Sequence, residues 1–422
     1  MYTCSMRWRH SLEAIIFLIL FIFALFIRSL HYSEAVNFST DQATFATESL
    51  EIWENKEVRL IGPSISMKTM GRELFQGSIT YYFQLLFLLP AQFDPIKASY
   101  LFTLFATLMT IPLYFGSRFL LGKYGALILT GIYAFMPLYI DYTRFLWNPT
   151  FQLSLTPLLV LWMGLFAKYR KWYLFALIPL WCGILLQFHY QYVIVTGGLF
   201  PYYIVIKKNG WKAGALFFAS FCVGYSPMIL FELRNQFYNL QTLWLYITHW
   251  GNVFSKGVGS SFQYYYFISI GIVGLLPLLR MMRKWISHKN SILFVMMLGI
   301  YALAIYIPRP SNAKGMVENW NVLYEEDVHK IIREQNLTNF NIINLGYDTV
   351  AMVQKYYMKK EGVRENWEDY YNNKHLFIIV RKGYDYMKDP AYEINTFTPS
   401  NVVEKWSLND TFELILRSRE LP

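Results

Sequence analysis

Ten apolar runs recur in the first 307 residues, at 12–30, 78–93, 98–117, 124–140, 151–167, 172–188, 191–206, 213–231, 263–279 and 290–307. A helix needs about 20 apolar residues to cross the hydrocarbon of a bilayer, and fewer where its flanks snorkel. Short basic clusters separate the runs: Arg7/Arg9, Arg118/Lys123, Lys168/Arg170/Lys171, Lys207/Lys208/Lys212 and Arg280/Arg283/Lys284/Lys289. Lys and Arg concentrate in cytoplasmic loops. All five clusters share one side only when the run 78–93 does not span; otherwise every cluster after Arg9 moves outside. That run carries Tyr81 and Tyr82 and ends at Pro90, so it reads as an interfacial or re-entrant helix. The nine remaining runs put the N-terminus inside and residues 308–422 outside.

Composition supports a membrane chain. Charged residues make up 16%, against about 25% in soluble domains. The net charge of +10 is unevenly placed: residues 1–309 hold 24 Lys and Arg against 11 Asp and Glu, and residues 310–422 hold 14 against 17. The positive excess is therefore a topology code, and no nucleic-acid partner is expected. Three cysteines exclude a disulfide scaffold. The first run has a basic flank like a signal peptide but no small-x-small cleavage site, and is expected to stay as an anchor. Two domains follow: 1–309, transmembrane with a first external loop at 31–97, and 310–422, soluble and external.

Seven of the eleven acids before position 310 lie between positions 34 and 73 of that loop: Glu34, Asp41, Glu48, Glu51, Glu54, Glu57 and Glu73. Glu51, Glu54 and Glu57 read as the wet face of an amphipathic helix whose other face is Phe45, Leu50 and Trp53. Asp41 follows Ser39-Thr40, which suits an N-cap, and its place just past the first span also suits catalysis. The two readings are compatible. Three further polar groups lie on the same side: Asp141-Tyr-Thr-Arg144-Phe-Leu-Trp147-Asn148-Pro149, Gln187-Phe-His189-Tyr-Gln191 and Glu232-Leu-Arg234-Asn235. Each has a bland explanation, namely an Asp141–Arg144 salt bridge, an interhelical hydrogen bond from His189, or Arg234 snorkelling to lipid phosphate. Four groups converging on one face favour a site.

A carboxylate with cations and amides at the outer membrane face suits group transfer from a lipid-phosphate donor. A base must take the proton of an acceptor hydroxyl as it attacks the anomeric carbon, and cations must stabilise the departing phosphate. Asp41 is the candidate base; Arg59, Lys68, Arg144 and Arg234 are candidates for the phosphate.

The chain here resembles prokaryotic members of glycosyltransferase family 39, within the GT-C membrane glycosyltransferases that include protein O-mannosyltransferases and the lipid A aminoarabinose transferase. The resemblance rests on Ser39-Thr-Asp41-Gln-Ala, Leu60-Ile-Gly-Pro63, Phe75-Gln76-Gly77 running into Tyr81-Tyr82, Arg144-x-x-Trp147-Asn148-Pro149, Gln187-x-His189, and Gly224-Tyr-Ser-Pro227 followed by Phe231-Glu232-Leu-Arg234. It spans about residues 12–310. It implies a GT-C fold in a bacterial plasma membrane, with about nine transmembrane helices and an interfacial helix. The reaction it implies is inverting transfer from a polyprenyl-phosphate sugar to a glycan, lipid or protein hydroxyl, with Asp41 as base and Gln76, Tyr81, Asn148, Gln187, His189 and Glu232 lining the site. Gln76 and Asn148 stand where some relatives carry acids near a bound metal, which argues against a divalent ion; no cofactor is expected. Relatives commonly have more hydrophobic segments before the soluble domain. An impaired family member is therefore an alternative, and a transporter or flippase of lipid-linked substrates is another.

Residues 318–422 read as a small α/β unit. Helices are expected at 322–336 and 349–360, and strands at 341–345, 376–380, 396–403 and 411–417. Gly346-Tyr-Asp348 reads as a turn after the first strand.

Overall fold

The computed structural model describes residues 2–206, 210–248, 268–282, 286–363, 365, 367 and 369–420, without the side chains of 2–14, 66–69, 205, 206 and 288. Lys207, Lys208, Arg283 and Lys284, and the side chains of Arg7, Arg9 and Lys68, lie outside the described residues. The chain forms two compact units: residues 1–30, 57–87 and 101–308, and residues 31–56, 88–100 and 309–422.

The first unit is mostly helical. Among the described residues, three helical stretches are long and apolar enough to cross a membrane: Pro95–Leu121, Asn148–Tyr169 and Lys289–Tyr306. A fourth candidate, Gly210–Gly224 with Ser226–Arg234, bends by 77° at its break. The first helix, Tyr2–Ser29, is 28 residues long with side chains described from Ile15, Trp172–Phe188 is apolar but shorter, and Ile268–Met281 begins at the edge of the described residues. Two further expected runs are broken within the described residues, and the breaks have local causes. Met136 precedes Pro137 and is extended, splitting the run 124–140 into helices Lys123–Phe135 and Pro137–Asp141. The run 191–206 divides into a 3₁₀ turn, the helix Val193–Pro201 and a π turn. The run 78–93 gives a helix of only 10 residues, Ile79–Leu88. At 1.5 Å per residue that is about half the hydrocarbon thickness.

Small residues set the closest helix approach. A Cβ on Gly164 would lie 2.2 Å from the Gly116 carbonyl oxygen, and one on Gly116 would lie 2.5 Å from the backbone of Leu161. Only glycine lets these two backbones touch. Around this crossing Leu113, Leu129, Tyr133, Val160 and Ile272 form one apolar cluster; Leu20, Ala24, Leu127 and Val295 belong to another. A hairpin interrupts the helices. Strands β1 (Ile61–Thr69) and β2 (Arg72–Gly77) pair antiparallel. Met70 and Gly71 turn the chain between them, both with positive φ, as a two-residue hairpin loop requires.

The second unit is built on a four-stranded sheet in the order β3 (Phe340–Asn344), β4 (His375–Arg381), β6 (Phe412–Ser418), β5 (Asn401–Ser407). Strands β3 and β4 are parallel; the other pairs are antiparallel. Helices Val322–Glu334 and Met352–Lys360 supply Val328, Ile332 and Met358 to a core with Ile342, Phe377, Ile379 and Leu414. Ile394 and Phe397 pack with Ile343, Ile378 and Ile415, the alternate residues of the same strands. The elements fall near their expected places, except that 392–396 is a short helix and β5 starts later than expected. Helix Thr40–Asn55 packs in this unit: Glu51 pairs with Lys359, and Phe38, just before it, meets Tyr356 at 5.2 Å between ring centres. Phe45 and Leu50 are buried as expected, but Trp53 is 45% exposed, so the apolar face of this helix is narrower than the sequence pattern implied.

Candidate active site

Asp41 lies in the first turn of helix Thr40–Asn55. The N-cap reading passes to its neighbours. Ser39 occupies the cap, and Gln42 Oε1 accepts from both the Ser39 backbone nitrogen at 3.2 Å and its hydroxyl at 2.8 Å. This reciprocal lock fixes the helix start. Asp41 is exposed in the first turn of this helix, where the helix dipole favours an anion. Ala43 and Ala46, both fully buried, anchor the opposite face.

In the first unit, a buried polar network gathers five of the residues singled out from sequence. Asn148 opens the helix Asn148–Tyr169 and donates from one amide nitrogen to Gln76 Oε1 and, at 3.0 Å, to the Phe188 carbonyl. Gln187 ends the helix Trp172–Phe188 with its neighbour Phe188 and donates to the Gly224 carbonyl at 2.7 Å. Gly77 makes room for it: a Cβ there would overlap Gln187 Cβ at 2.4 Å. The His189 carbonyl accepts from Gln152 at 2.9 Å. Glu232 is buried and accepts from the backbone nitrogens of Asn239 and Leu240 at 3.1 and 3.2 Å, so its carboxylate holds the start of helix Tyr238–Thr248. Asn239 in turn bonds both backbone groups of Phe75, at 3.0 and 3.1 Å. The network thus clamps the end of β2 among three helices.

The remaining predicted residues take other positions. The Tyr82 hydroxyl exchanges hydrogen bonds with both backbone groups of Arg59, whose guanidinium lies 3.8 Å from Glu57. Tyr81 is buried, and Arg234 is exposed at the end of helix Ser226–Arg234. The backbone of Lys68 stands opposite that of Glu73 in the register of the hairpin. Arg144 is 3% exposed and donates to the carbonyls of Ile27 at 2.7 Å and Leu30 at 3.3 Å, with its guanidinium over the Tyr306 ring at 4.6 Å. Asp141 accepts from the Tyr306 hydroxyl at 2.5 Å. Arg144 therefore satisfies carbonyls at the end of the first helix, Tyr2–Ser29.

Three residues that the sequence reading passed over organise this region. Gln152 donates to the carbonyls of Leu185 and His189 and accepts from Ser269 and Gln191, tying three helical segments together. Arg28 is fully buried and donates to the Ala134 and Tyr133 carbonyls at 2.6 and 2.8 Å and to the Thr143 hydroxyl at 3.0 Å. Asn239 is the third. A charge inside an apolar run was the available signal for Arg28; the two amides had none.

No family model and no curated protein matches the chain. Solved structures do. ArnT from Cupriavidus metallidurans bound to undecaprenyl phosphate superposes with a TM-score of 0.57 at 10% identity, covering 95% of this chain and 98% of that one. The same protein in the apo state gives 0.57 at 12% identity, covering 98% of both chains. The chain has the fold of ArnT. At this identity the likeness is one of architecture, and it extends over both units.

Proposed function

We propose that the chain is an integral membrane glycosyltransferase of the bacterial plasma membrane that takes a sugar from a polyprenyl-phosphate donor. The observation that carries this reading is the fold shared along nearly the whole chain with ArnT, for which one structure holds undecaprenyl phosphate. The family 39 motifs in the sequence add the finer placement. In the proposed reaction an acceptor hydroxyl attacks the anomeric carbon from the face opposite the phosphate. The new C–O bond forms as the sugar–phosphate bond breaks, Asp41 takes the hydroxyl proton, and polyprenyl phosphate leaves with the configuration inverted. Arg59, Lys68 and Arg234 are assigned to the phosphate charge. The amides around Gln76, Asn148 and Gln187, with Glu232, are assigned to hold the hairpin, and Arg144 to hold the end of the first helix.

Purified protein in nanodiscs, incubated with radiolabelled polyprenyl-phosphate sugars and cell-envelope extract, tests this. General-base removal costs about 10²–10⁴ in rate, so Asp41→Asn is expected to lose transfer by that factor with its melting temperature unchanged. Equal transfer by both proteins would remove Asp41 from the mechanism. The 77° break between Gly224 and Ser226 favours a second reading, a transporter of lipid-linked substrates, because discontinuous helices frame transport sites. Donor movement across the membrane without sugar transfer would select it.

A further inference from the structure

The second unit presents three tyrosines whose arrangement serves neither its core nor the proposed chemistry. Tyr371 is 64% and Tyr392 52% exposed. Their hydroxyls lie 2.8 Å apart and their rings stand at 89°. Tyr370 meets Tyr392 at 90° with ring centres 5.1 Å apart. Edge-to-face packing joins the three rings and leaves those of Tyr371 and Tyr392 more than half exposed. In the same loop Asn372 donates from its side-chain nitrogen to both oxygens of Asp369, at 2.8 and 3.1 Å.

The backbone beneath the cluster is fixed by one side chain. The Arg419 guanidinium donates to four carbonyls, those of Asn373, Thr396, Tyr370 and Tyr371, at 2.6 to 2.9 Å, and stacks on Phe397 at 4.4 Å. Both tyrosine-bearing segments are thereby locked before any ligand arrives, which lowers the ordering cost of binding.

We propose that this cluster is a saccharide-binding platform. Resting on the glycosyltransferase reading, it docks a glycan acceptor. A pyranose has one face of C–H groups and a rim of hydroxyls. The exposed ring of Tyr371 covers the first, while phenolic hydroxyls, which both donate and accept, and the Asp369–Asn372 pair meet the second. The chemistry differs from that of a lipid-facing surface. Helix Tyr238–Thr248 exposes Leu240, Leu243, Trp244 and Ile247 on one stripe, whereas the exposed rings of this cluster all end in hydroxyls. A bilayer or an aliphatic peptide gains little from such tips; a sugar uses each of them.

The test uses the full-length protein in nanodiscs with soluble cellohexaose, mannohexaose and chitohexaose as probes, read by saturation-transfer NMR and calorimetric titration. At least one probe is expected to bind. Tyr371→Ala and Tyr392→Ala are expected to weaken it about tenfold each, and Tyr392→Phe about threefold, since the ring stays and one hydrogen bond goes. Thermal melting confirms that the variants fold. Absence of binding by all three probes overturns the platform, as does equal binding by the alanine variants. Loss of a proline-rich peptide or of phospholipid vesicles in those variants, with saccharide binding intact, also overturns it. Asp41-dependent transfer without saccharide binding sinks the platform alone. Saccharide binding that needs the tyrosines, without transfer from any donor, upholds the platform and sinks the transferase reading alone.

Discussion

The amide of Asn148 donates to Gln76 Oε1 across 72 residues of sequence, and the same nitrogen reaches the Phe188 carbonyl. One side chain therefore joins the end of β2 to the facing ends of two helices. Asn148→Leu keeps the bulk and removes the donor, leaving two buried acceptors without it. That costs about 1–3 kcal/mol, read as a lower melting temperature in detergent. Asn148→Asp is expected to be worse, because it sets an ionised acceptor against two others. Melting unchanged in both variants would show that the hairpin is held by other contacts.

Arg28 and Arg144 exchange roles at neighbouring helix ends. Arg28 leaves the first helix to satisfy Tyr133 and Ala134 near the end of Lys123–Phe135, while Arg144 returns to satisfy Ile27 and Leu30. The last carbonyls of a helix have no partner of their own, and the planar fork of arginine reaches two at once. Each charged hydrogen bond is worth about 1.5–3 kcal/mol. Arg28→Lys is therefore expected to lose about 2 kcal/mol or more, and Arg28→Met to lose yield and cooperative melting. If Arg144 served the donor phosphate instead, Arg144→Lys would raise KM for the donor without lowering the melting temperature.

What the sequence disclosed followed from how far each residue's partners lie along the chain. Strand β4 and helix Val322–Glu334 were legible because burial on a sheet or a helix stripe imposes a short period. Asp41 and Asn148 stood out as polar residues at the edges of apolar runs. Which residues they bond was not legible: the Gln76 acceptor of Asn148, and Gln152 bonding across 33 and 37 residues, depend on tertiary placement that no local pattern carries. The breaks at Met136 and Tyr225 are intermediate. Pro137 marks the first plainly, while the 77° bend next to Ser226-Pro227 was hidden inside a run apolar enough to look continuous.

Gly77 and Gly71 separate two uses of glycine in one hairpin. At Gly71 φ is +75° and nothing lies within 4 Å of an added Cβ, so Gly71→Ala costs about 1–2 kcal/mol of backbone strain. At Gly77 the Cβ would press on Gln187 Cβ at 2.4 Å and Cγ at 2.7 Å. The helix end or the hairpin must shift, and overpacking of this kind costs about 1–3 kcal/mol. Gly77→Ala is expected to abolish sugar transfer by displacing Gln187 from the Gly224 carbonyl, whereas Gly71→Ala retains it. Equal transfer by the two variants would separate this contact from function.

Glu325 gives the second unit a pH dependence whose sign is opposite to that of an ordinary surface carboxylate pair. It is fully buried and accepts from Trp320 Nε1 at 2.8 Å, Gln354 Nε2 at 2.5 Å and the Tyr347 hydroxyl. Burial raises its pKa above the usual carboxylate value, and these donors only partly oppose the rise. The folded state thus holds the proton more tightly than the unfolded chain, whose glutamates titrate near about 4.3. The stabilising contribution is complete below that value and is lost as pH rises through the folded pKa. Melting followed by tryptophan fluorescence, with Trp320 as the buried reporter, is expected to fall in midpoint from pH 4 upward. Glu325→Gln keeps the shape and cannot ionise, so its midpoint should match wild type near pH 4 and exceed it at pH 7. Parallel curves for the two proteins across that range would show that the three donors, and not burial, govern this carboxyl group.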